Sequence, residues 1–283
     1  MKNLSFDDLK DKCCVLTGGA GVIGTAIANG LGCVGVKTAI VDINKEMADK
    51  VAEQVQKNTG TLTKGFDANV LDKSSLLKTK EAINKEFGPV DFLINGAGGN
   101  SPKATTQLEK IEKENLNELE KTFFGLEMEG FDWVYNLNFK GTLLPTMVFA
   151  EDMLKQQKGS IINISSMNSF RPLTKIPAYS AAKASVNNLT QWLAVHLAKT
   201  GVRVNAIAPG FFLTNQNRFL LVDEKTGKAT PRGEKIIGST PMGKYGEPED
   251  LQGTILYLLS GISEFITGIV IPVDGGYSAY GGV

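Results

Sequence analysis

The sequence predicts an α/β fold: a doubly wound, parallel, seven-stranded sheet with helices on both faces, in a single domain spanning the chain. Three observations predict it. Short apolar runs alternate with longer segments whose apolar residues recur at helical spacing, the pattern of repeated βαβ units. The apolar runs are continuous rather than alternating, as expected of parallel strands buried on both sides. A glycine-rich turn, Thr17-Gly18-Gly19-Ala20-Gly21-Val22-Ile23-Gly24, follows the first run and opens the first helical segment.

The elements follow in order. Cys13 to Thr17 reads as a buried strand, and Val22 to about Leu31 as the helix after it. Thr38 to Asp42 is the second strand. Met47, Val51 and Val55 then share one helical face, with Ala48 and Ala52 beside them. Thr61 to Phe66 is the third strand, and Lys73 to Phe87 a helix stopped by Gly88-Pro89. Asp91 to Asn95, Ser160 to Ile164, Arg203 to Ile207 and Ile269 to Val273 complete the strands. No internal repeat, low-complexity tract or linker interrupts the series. Two stretches look like additions to it. Residues 99–130 carry seven Glu and four Lys and read as a solvated surface helix. Residues 211–239 are polar and follow the sixth strand; ligands of open α/β sheets bind beyond the carboxyl ends of strands, so this stretch is a candidate substrate lid.

Composition narrows the function classes. The 283 residues are 42% hydrophobic and 21% charged, ordinary for a globular chain long enough to bury a large core. Thirty Lys plus Arg balance thirty Asp plus Glu, so no basic excess points to nucleic acid or a membrane surface. Cys13, Cys14 and Cys33 have no paired spacing and are expected to be reduced core residues of a cytoplasmic protein. Cys13 and Cys14 should point to opposite faces of their strand. Met1 to Lys12 is polar and unlike a signal peptide, and no run of about 18 apolar residues suggests a membrane span. No His/Cys/Asp cluster has metal-ligand spacing, so no metal is expected.

The glycine turn suits a pyrophosphate. Glycines admit a close backbone approach, and the helix N-terminus offers amide N–H groups and a positive dipole end. Asp42, 24 residues after Gly18, ends the second strand. A carboxylate there can accept both ribose hydroxyls of adenosine and would repel a 2′-phosphate, by roughly 4 kcal/mol for unit charges ~4 Å apart at a dielectric of ~20. The expected cofactor is therefore NAD. Tyr179 and Lys183 stand four residues apart, on one face of a helix that Pro177 is placed to open. A free phenol titrates near 10, and an adjacent ammonium favours its ionised form.

These motifs, in this order, resemble the short-chain dehydrogenase/reductase family of compact, single-domain Rossmann type, over Lys12 to Gly276. The resemblance rests on Thr17 to Gly24, Asp67-Ala68, Asn95-Gly96-Ala97-Gly98, Asn138-Phe139-Lys140-Gly141, Asn163-Ile164-Ser165-Ser166, Tyr179 with Lys183, Pro209-Gly210 with Thr214, and Val273-Asp274-Gly275-Gly276. It implies an NAD(H)-dependent oxidoreductase interconverting a carbonyl and a secondary alcohol. By carry-over, Tyr179 exchanges the proton. Lys183 lowers the Tyr179 pKa and holds the nicotinamide ribose. Ser166, preferred to Ser165 because it stands thirteen residues before Tyr179, bonds the substrate oxygen. Asn138 positions a water linking Lys183 to solvent. The cofactor would lie against Gly18, Gly19, Ala20, Gly21, Val22 and Ile23, then Asp42 and Ile43, Asp67 and Ala68, and Asn95, Gly96 and Ala97. Pro209, Gly210, Phe212 and Thr214 would hold its carboxamide side.

Val22 stands where the compact type usually has Gly, which also resembles the extended branch of the family. The short stretch after Lys183 and the Pro209-Gly210 and Val273 to Gly276 motifs favour the compact type. For substrate, Ser166, Asn168, Arg171 and Arg218 are the expected contacts, within loops that also hold Asn100, Met167, Asn215 and Gln216. Asn and Gln suit hydroxyls, and Arg suits a carboxylate. The stretches around Val22, Asn95 to Asn100, Ser165 to Tyr179 and Pro209 to Leu221 are similar to a bacterial subgroup described as D-mannonate oxidoreductase, which implies a sugar acid of the D-fructuronate/D-mannonate type. Another sugar, polyol or keto-gluconate dehydrogenase, and a non-catalytic NAD-binding protein, are the alternatives. The family resemblance also implies a homotetramer or homodimer built on the helices around Phe131 to Leu154 and Pro177 to Thr200. Trp192 and His196 would lie at the interface, and Tyr277 to Val283 would reach toward a neighbouring subunit.

Overall fold

The computed structural model describes residues 4–213, 221–223 and 226–282. Seven strands form one parallel sheet: β1 (Cys13–Thr17), β2 (Lys37–Asp42), β3 (Thr63–Asp67), β4 (Phe92–Asn95), β5 (Gly159–Ile164), β6 (Val202–Pro209) and β7 (Val270–Val273). Their spatial order is β3-β2-β1-β4-β5-β6-β7. The direction of winding reverses between β1 and β4, where doubly wound sheets open a crevice at the carboxyl ends of the strands.

The pleat sorts each strand onto two cores. Cys14, Leu16, Ile40, Ile94, Ile162 and Ile207 face one side, packed by α1 (Val22–Cys33), α2 (Lys45–Thr59) and α8 (Gln252–Leu259). Cys13, Val15, Ala39, Val41, Leu93, Ile161 and Val204 face the other, packed by α3 (Lys73–Phe87), α5 (Gly141–Gln156) and α6 (Pro177–His196). Local chemistry sets the helix ends. The Asn44 side chain accepts from Met47 N–H and Gly60 closes α2 at φ 72°. Asp72 caps α3 through Ser74 N–H, and Gly88 ends it where the sequence places the stop.

The adjacent cysteines lie on opposite faces, as the two-residue strand period requires. Burial pushes the Cys13 thiol up to about 12 and Cys14 also upward, so both are inert. Cys33 departs from expectation: it is exposed, because it falls at the last turn of α1 beyond the face that packs on the sheet.

Residues 99–130 are not the expected surface helix. They form four separate 3-10 turns, Pro102–Ala104, Lys113–Asn115, Leu119–Lys121 and Phe123–Gly125, before α4 (Met128–Tyr135). Side chains that bond nearby backbone explain this: Ser101 accepts from Lys103 N–H, Asn115 from Glu112 N–H and Thr122 from Phe124 N–H, each closing a short turn in place of a continuous helix. In the 211–239 stretch, α7 (Pro231–Gly238) is capped by Thr230, which accepts from Gly233 N–H. Lys235 of α7 bonds Glu109, tying the two additions together at the surface. The C-terminal segment turns back onto its own chain. Asp274 accepts from Gly276 and Ser278 N–H, Tyr277 packs edge-on against Phe211 at 5.2 Å, and Arg171 donates to the Tyr280 carbonyl.

Among the described residues no helix is long and apolar enough to cross a membrane. Met147 of α5 and Trp192 and Val195 of α6 are exposed, and Trp192 stacks on His196 at 4.5 Å.

Candidate active site

The carboxyl ends of β1, β2, β4, β5 and β6 gather most of the residues singled out from sequence. At the β1–α1 turn, Gly18 has φ +64°, and a Cβ there would lie 2.7 Å from the Ala97 backbone. Gly24 is equally constrained, since its Cβ would meet the Gly18 carbonyl at 2.7 Å. These two glycines let the turn, the helix and the β4 end press together. Gly21 differs. It has an ordinary φ of −74°, and a Cβ there would meet only the Gly18 carbonyl, at 3.5 Å. A Cβ would fit there in ordinary contact, at the start of α1, where no side chain caps the first amides. Val22 and Ile23 thus present the uncapped N–H groups that bind anions at helix starts.

Asp42 ends β2 beside this turn. Its carboxylate accepts from Ala20 N–H at 3.3 Å and Asn44 N–H at 3.2 Å, so the glycine loop and the acid are held as one unit. Ile43 next to it is 77% exposed. Asp67 pairs in register with Asp42, and Ala68 N–H bonds the Asp42 carbonyl. Gly96 and Ala97 are held by Thr17, whose Oγ1 accepts from both their N–H groups. Asn95 contributes only main chain to the cleft. Its side-chain amide is buried and donates to Thr146 and Asn163, in a polar line that continues to Thr190 of α6. Gly210 N–H bonds Val273, and a Cβ on Gly210 would lie 2.6 Å from Asp274. The Phe212 ring is likewise turned into the core, packed on Gly246.

Four further side chains converge near the β4 and β5 ends. Lys183 is 3% exposed and donates to the Ile164 carbonyl at 2.7 Å. Its Nζ lies 5.6 Å from the Tyr179 ring centroid. Asn138 is fully buried in a π-helical turn, Asn136–Lys140, that joins α4 to α5. Its amide donates to the carbonyls of Gly99 and Val134 at 2.7 and 2.8 Å, while its Oδ1 has no partner. Buried polar atoms are nearly always satisfied, and π turns concentrate at functional sites. The Ser166 hydroxyl lies close enough to Tyr179 to favour its ionised form. Ser166 Oγ also accepts from Asn168 N–H at 3.2 Å, which leaves the Ser166 proton for another acceptor. Ser165 is committed elsewhere, to Asn187.

Burial dominates the electrostatics. It pushes the Tyr179 phenol above its ordinary value, and the Ser166 hydrogen bond offsets only part of this. It pushes the Lys183 ammonium down to about 8. The site therefore holds a neutral, hydrogen-bonded phenol beside a cation whose charge is easily lost.

Asn168, expected at the substrate, is buried with its Oδ1 unpartnered; Arg171 is exposed and engaged with Tyr280. Thr214, Asn215, Gln216 and Arg218 lie outside the described residues. Sequence reasoning missed Gly98. A Cβ there would lie 2.7 Å from Asn138 Oδ1 and 3.4 Å from Lys183 Nζ, so only glycine lets the two groups approach one another. Its place beside Asn95 to Ala97 was the available signal, but the close approach comes from residues 40 and 85 positions away. Among the described residues no group of three or more His, Cys, Asp or Glu is placed to hold a metal ion.

The sequence profile of the short chain dehydrogenase family matches residues 12–225, which include this whole constellation. The chain belongs to the short-chain dehydrogenase family. Its dehydrogenase chemistry, exchange of hydride at a CH–OH carbon, is that of the family. An uncharacterized oxidoreductase of Haemophilus influenzae is 50% identical over 277 residues, covering 98% of this chain and 96% of its own. The crystal structure of a protein from the same organism, provisionally assigned as a D-mannonate oxidoreductase and bearing NAD, matches with a TM-score of 0.92 at 49% identity, over 98% and 99% of the two chains. The 2-dehydro-3-deoxy-D-gluconate 5-dehydrogenase of Formosa agariphila is 32% identical over 274 residues, covering 96% of this chain and 94% of its own.

Proposed function

We propose that this dehydrogenase uses NAD(H) to interconvert a keto group and a secondary alcohol on a sugar acid of the D-fructuronate/D-mannonate type, with Tyr179 as acid and base. The observation that carries this reading is the convergence of Tyr179, Lys183 and Asn138: Lys183 Nζ lies 5.6 Å from the Tyr179 ring, and the unpartnered Asn138 Oδ1 shares the Gly98 position with Lys183.

The residues present fit NAD. Gly21 is a glycine that the fold itself does not require, the first amides of α1 are uncapped, and Asp42 stands at the end of β2 to accept ribose hydroxyls. NAD supplies the hydride acceptor or donor; the protein supplies orientation and the proton. In carbonyl reduction Tyr179 gives its proton to the oxygen that becomes the alcohol, while the Ser166 hydroxyl bonds the same oxygen. In oxidation Tyr179 takes that proton back, and the Lys183 charge favours the phenolate left behind. The unpartnered Oδ1 of Asn138 provides an acceptor for a water that carries protons between Lys183 and solvent. Positioned acid–base groups of this kind contribute about 10²–10⁴-fold. A sugar acid is supported by what the Haemophilus influenzae and Formosa agariphila proteins are said to act on, and by the unpartnered amide oxygen of Asn168 beside Ser166. The 99–130 stretch and α7, joined by Glu109 and Lys235, are the candidate cover for this substrate.

The test is oxidation of NADH by the purified protein with D-fructuronate, against NADPH and a panel of keto-gluconates, keto-sugars and simple ketones. Turnover of D-fructuronate with NADH, lost in Tyr179→Phe, is the expected result. A keto-gluconate reduced faster than D-fructuronate would replace the substrate and keep the mechanism; full activity in Tyr179→Phe would remove the mechanism.

A further inference from the structure

Helix α6 carries a third polar residue on the face that bears Tyr179 and Lys183. Asn187 follows Lys183 by four residues, one further turn along. The Ser165 hydroxyl donates to Asn187 Oδ1. Asn187 Nδ2 donates to Ser169 Oγ at 2.8 Å, and Ser169 Oγ donates to the Ser166 carbonyl at 2.6 Å. The five-residue segment between β5 and the loop leading to α6 is thereby gripped at both ends by one amide.

From these contacts we infer that Asn187 is a positioning residue: it sets the turn 165–169 so that Ser166 Oγ meets Tyr179. The geometry supplies the reason. Ser165 and Ser166 continue the extended backbone of β5, Ser166 at φ −163° and ψ 153°, so their side chains point to opposite sides. Holding the Ser165 hydroxyl against α6 at Asn187 fixes the strand end from which Ser166 departs. Ser165 N–H is also bonded to Ile207 of β6, which fixes the start of the turn to the sheet. The second arm, through Ser169, orients the Ser166 carbonyl and hence the rotation of the peptide after Ser166. That rotation aims Asn168 N–H at Ser166 Oγ, which holds the hydroxyl oxygen in place. Asn187 touches none of the reacting atoms; it acts through Ser165, Ser169 and Ser166. The inference rests on the reading of Tyr179 and Ser166 given above.

The experiment compares Asn187→Leu, Ser169→Ala and their double variant with wild type and Tyr179→Phe, using NADH and the keto acid that the wild-type enzyme reduces fastest. Misplacement of a group by about 1 Å costs on the order of 10²-fold, so kcat is expected to fall by about that factor in Asn187→Leu and less in Ser169→Ala. KM is expected to stay within about twofold, because the lost contact serves the reacting geometry rather than ground-state binding. NADH affinity should be unchanged. The double variant should be no slower than Asn187→Leu, since both residues act in one chain. Ser169→Thr keeps the hydroxyl and should keep kcat, including if Asn187→Leu proves too unstable to purify. An undiminished kcat in Asn187→Leu or Ser169→Ala overturns the inference, as does a loss that tracks NADH affinity. If Tyr179→Phe is silent while these variants are fast, this inference alone fails; if Tyr179→Phe is fast, the reading beneath it fails.

Discussion

Burial acts on Tyr179 and Lys183 in opposite directions. Out of water, a phenol keeps its proton more firmly and an ammonium less firmly, and both shifts are seen here. Asp42 follows different logic: on the function proposed above, its charge acts by what it excludes. Its two backbone hydrogen bonds keep the carboxylate at the cleft beside the glycine loop. Asp42→Ala is expected to narrow the preference for NADH over NADPH by at least ~10-fold, chiefly by improving kcat/KM with NADPH, since the repulsion of a 2′-phosphate is removed. Steady-state kinetics with both cofactors checks this. An unchanged ratio would place the discrimination elsewhere.

At the level of single elements, the β1–α1 turn serves two purposes that its glycines divide between them. Gly18 lies in the left-handed region and against the Ala97 backbone, so it serves folding. Gly21 has an ordinary backbone angle, and a Cβ there would make only an ordinary contact, so folding does not require it; on the function proposed above it serves the cofactor. Gly18→Ala is expected to lower stability by about 2 kcal/mol or more, from left-handed strain of roughly 1–2 kcal/mol plus the steric contact. Gly21→Ala should leave stability within about 0.5 kcal/mol but weaken NADH binding at least tenfold, because the new methyl stands where the backbone must approach the pyrophosphate. Urea unfolding and fluorescence titration with NADH separate the two effects. If both variants lose stability equally, the division is wrong.

Across the whole molecule, the helices on the catalytic face are registered by a buried ion pair far from the cleft. Lys80 of α3 donates to the Val148 carbonyl and pairs with Asp152 of α5 at 3.0 Å; the Asp152 side chain is 6% exposed. Asn84 and Val90 N–H complete the shell around Asp152. Burial alone would push the Asp152 carboxyl up, but the hydrogen bonds from Lys80, Asn84 and Val90 and the Lys80 charge together hold it below its ordinary value. A depressed carboxyl contributes stability that is present above the unfolded-state pKa and is lost as pH falls through the folded one. Asp152→Asn is therefore expected to cost about 3 kcal/mol near neutrality, with the gap from wild type shrinking below about pH 4. Urea unfolding at a series of pH values reads this out, and a gap that stays constant into acid would refute it. Because α5 continues from the π turn holding Asn138, this distant pair also helps to set where that amide lies.

Much of this was legible from the chain alone. Strand and helix periods, the α3 stop at Gly88, the glycine turn, the acid ending β2 and the four-residue spacing of Tyr179 and Lys183 are local features. Each depends on backbone geometry within a turn or two, so nearby residues suffice to determine it. The preference for Ser166 over Ser165 was drawn from spacing, whereas the contacts that separate them belong to α6. Tertiary structure alone decided which side chains meet across long separations. It turned the Asn95 amide inward to Asn163, paired Lys80 with Asp152, brought Gly98 between Asn138 and Lys183, and left the oxygens of Asn138 and Asn168 unpartnered. It also broke residues 99–130 into short turns where charge content had suggested a helix. The physical reason is the same in each case. Periodicity reports which face of an element is apolar, but the partner of a polar group is set by where distant segments lie once the sheet has closed.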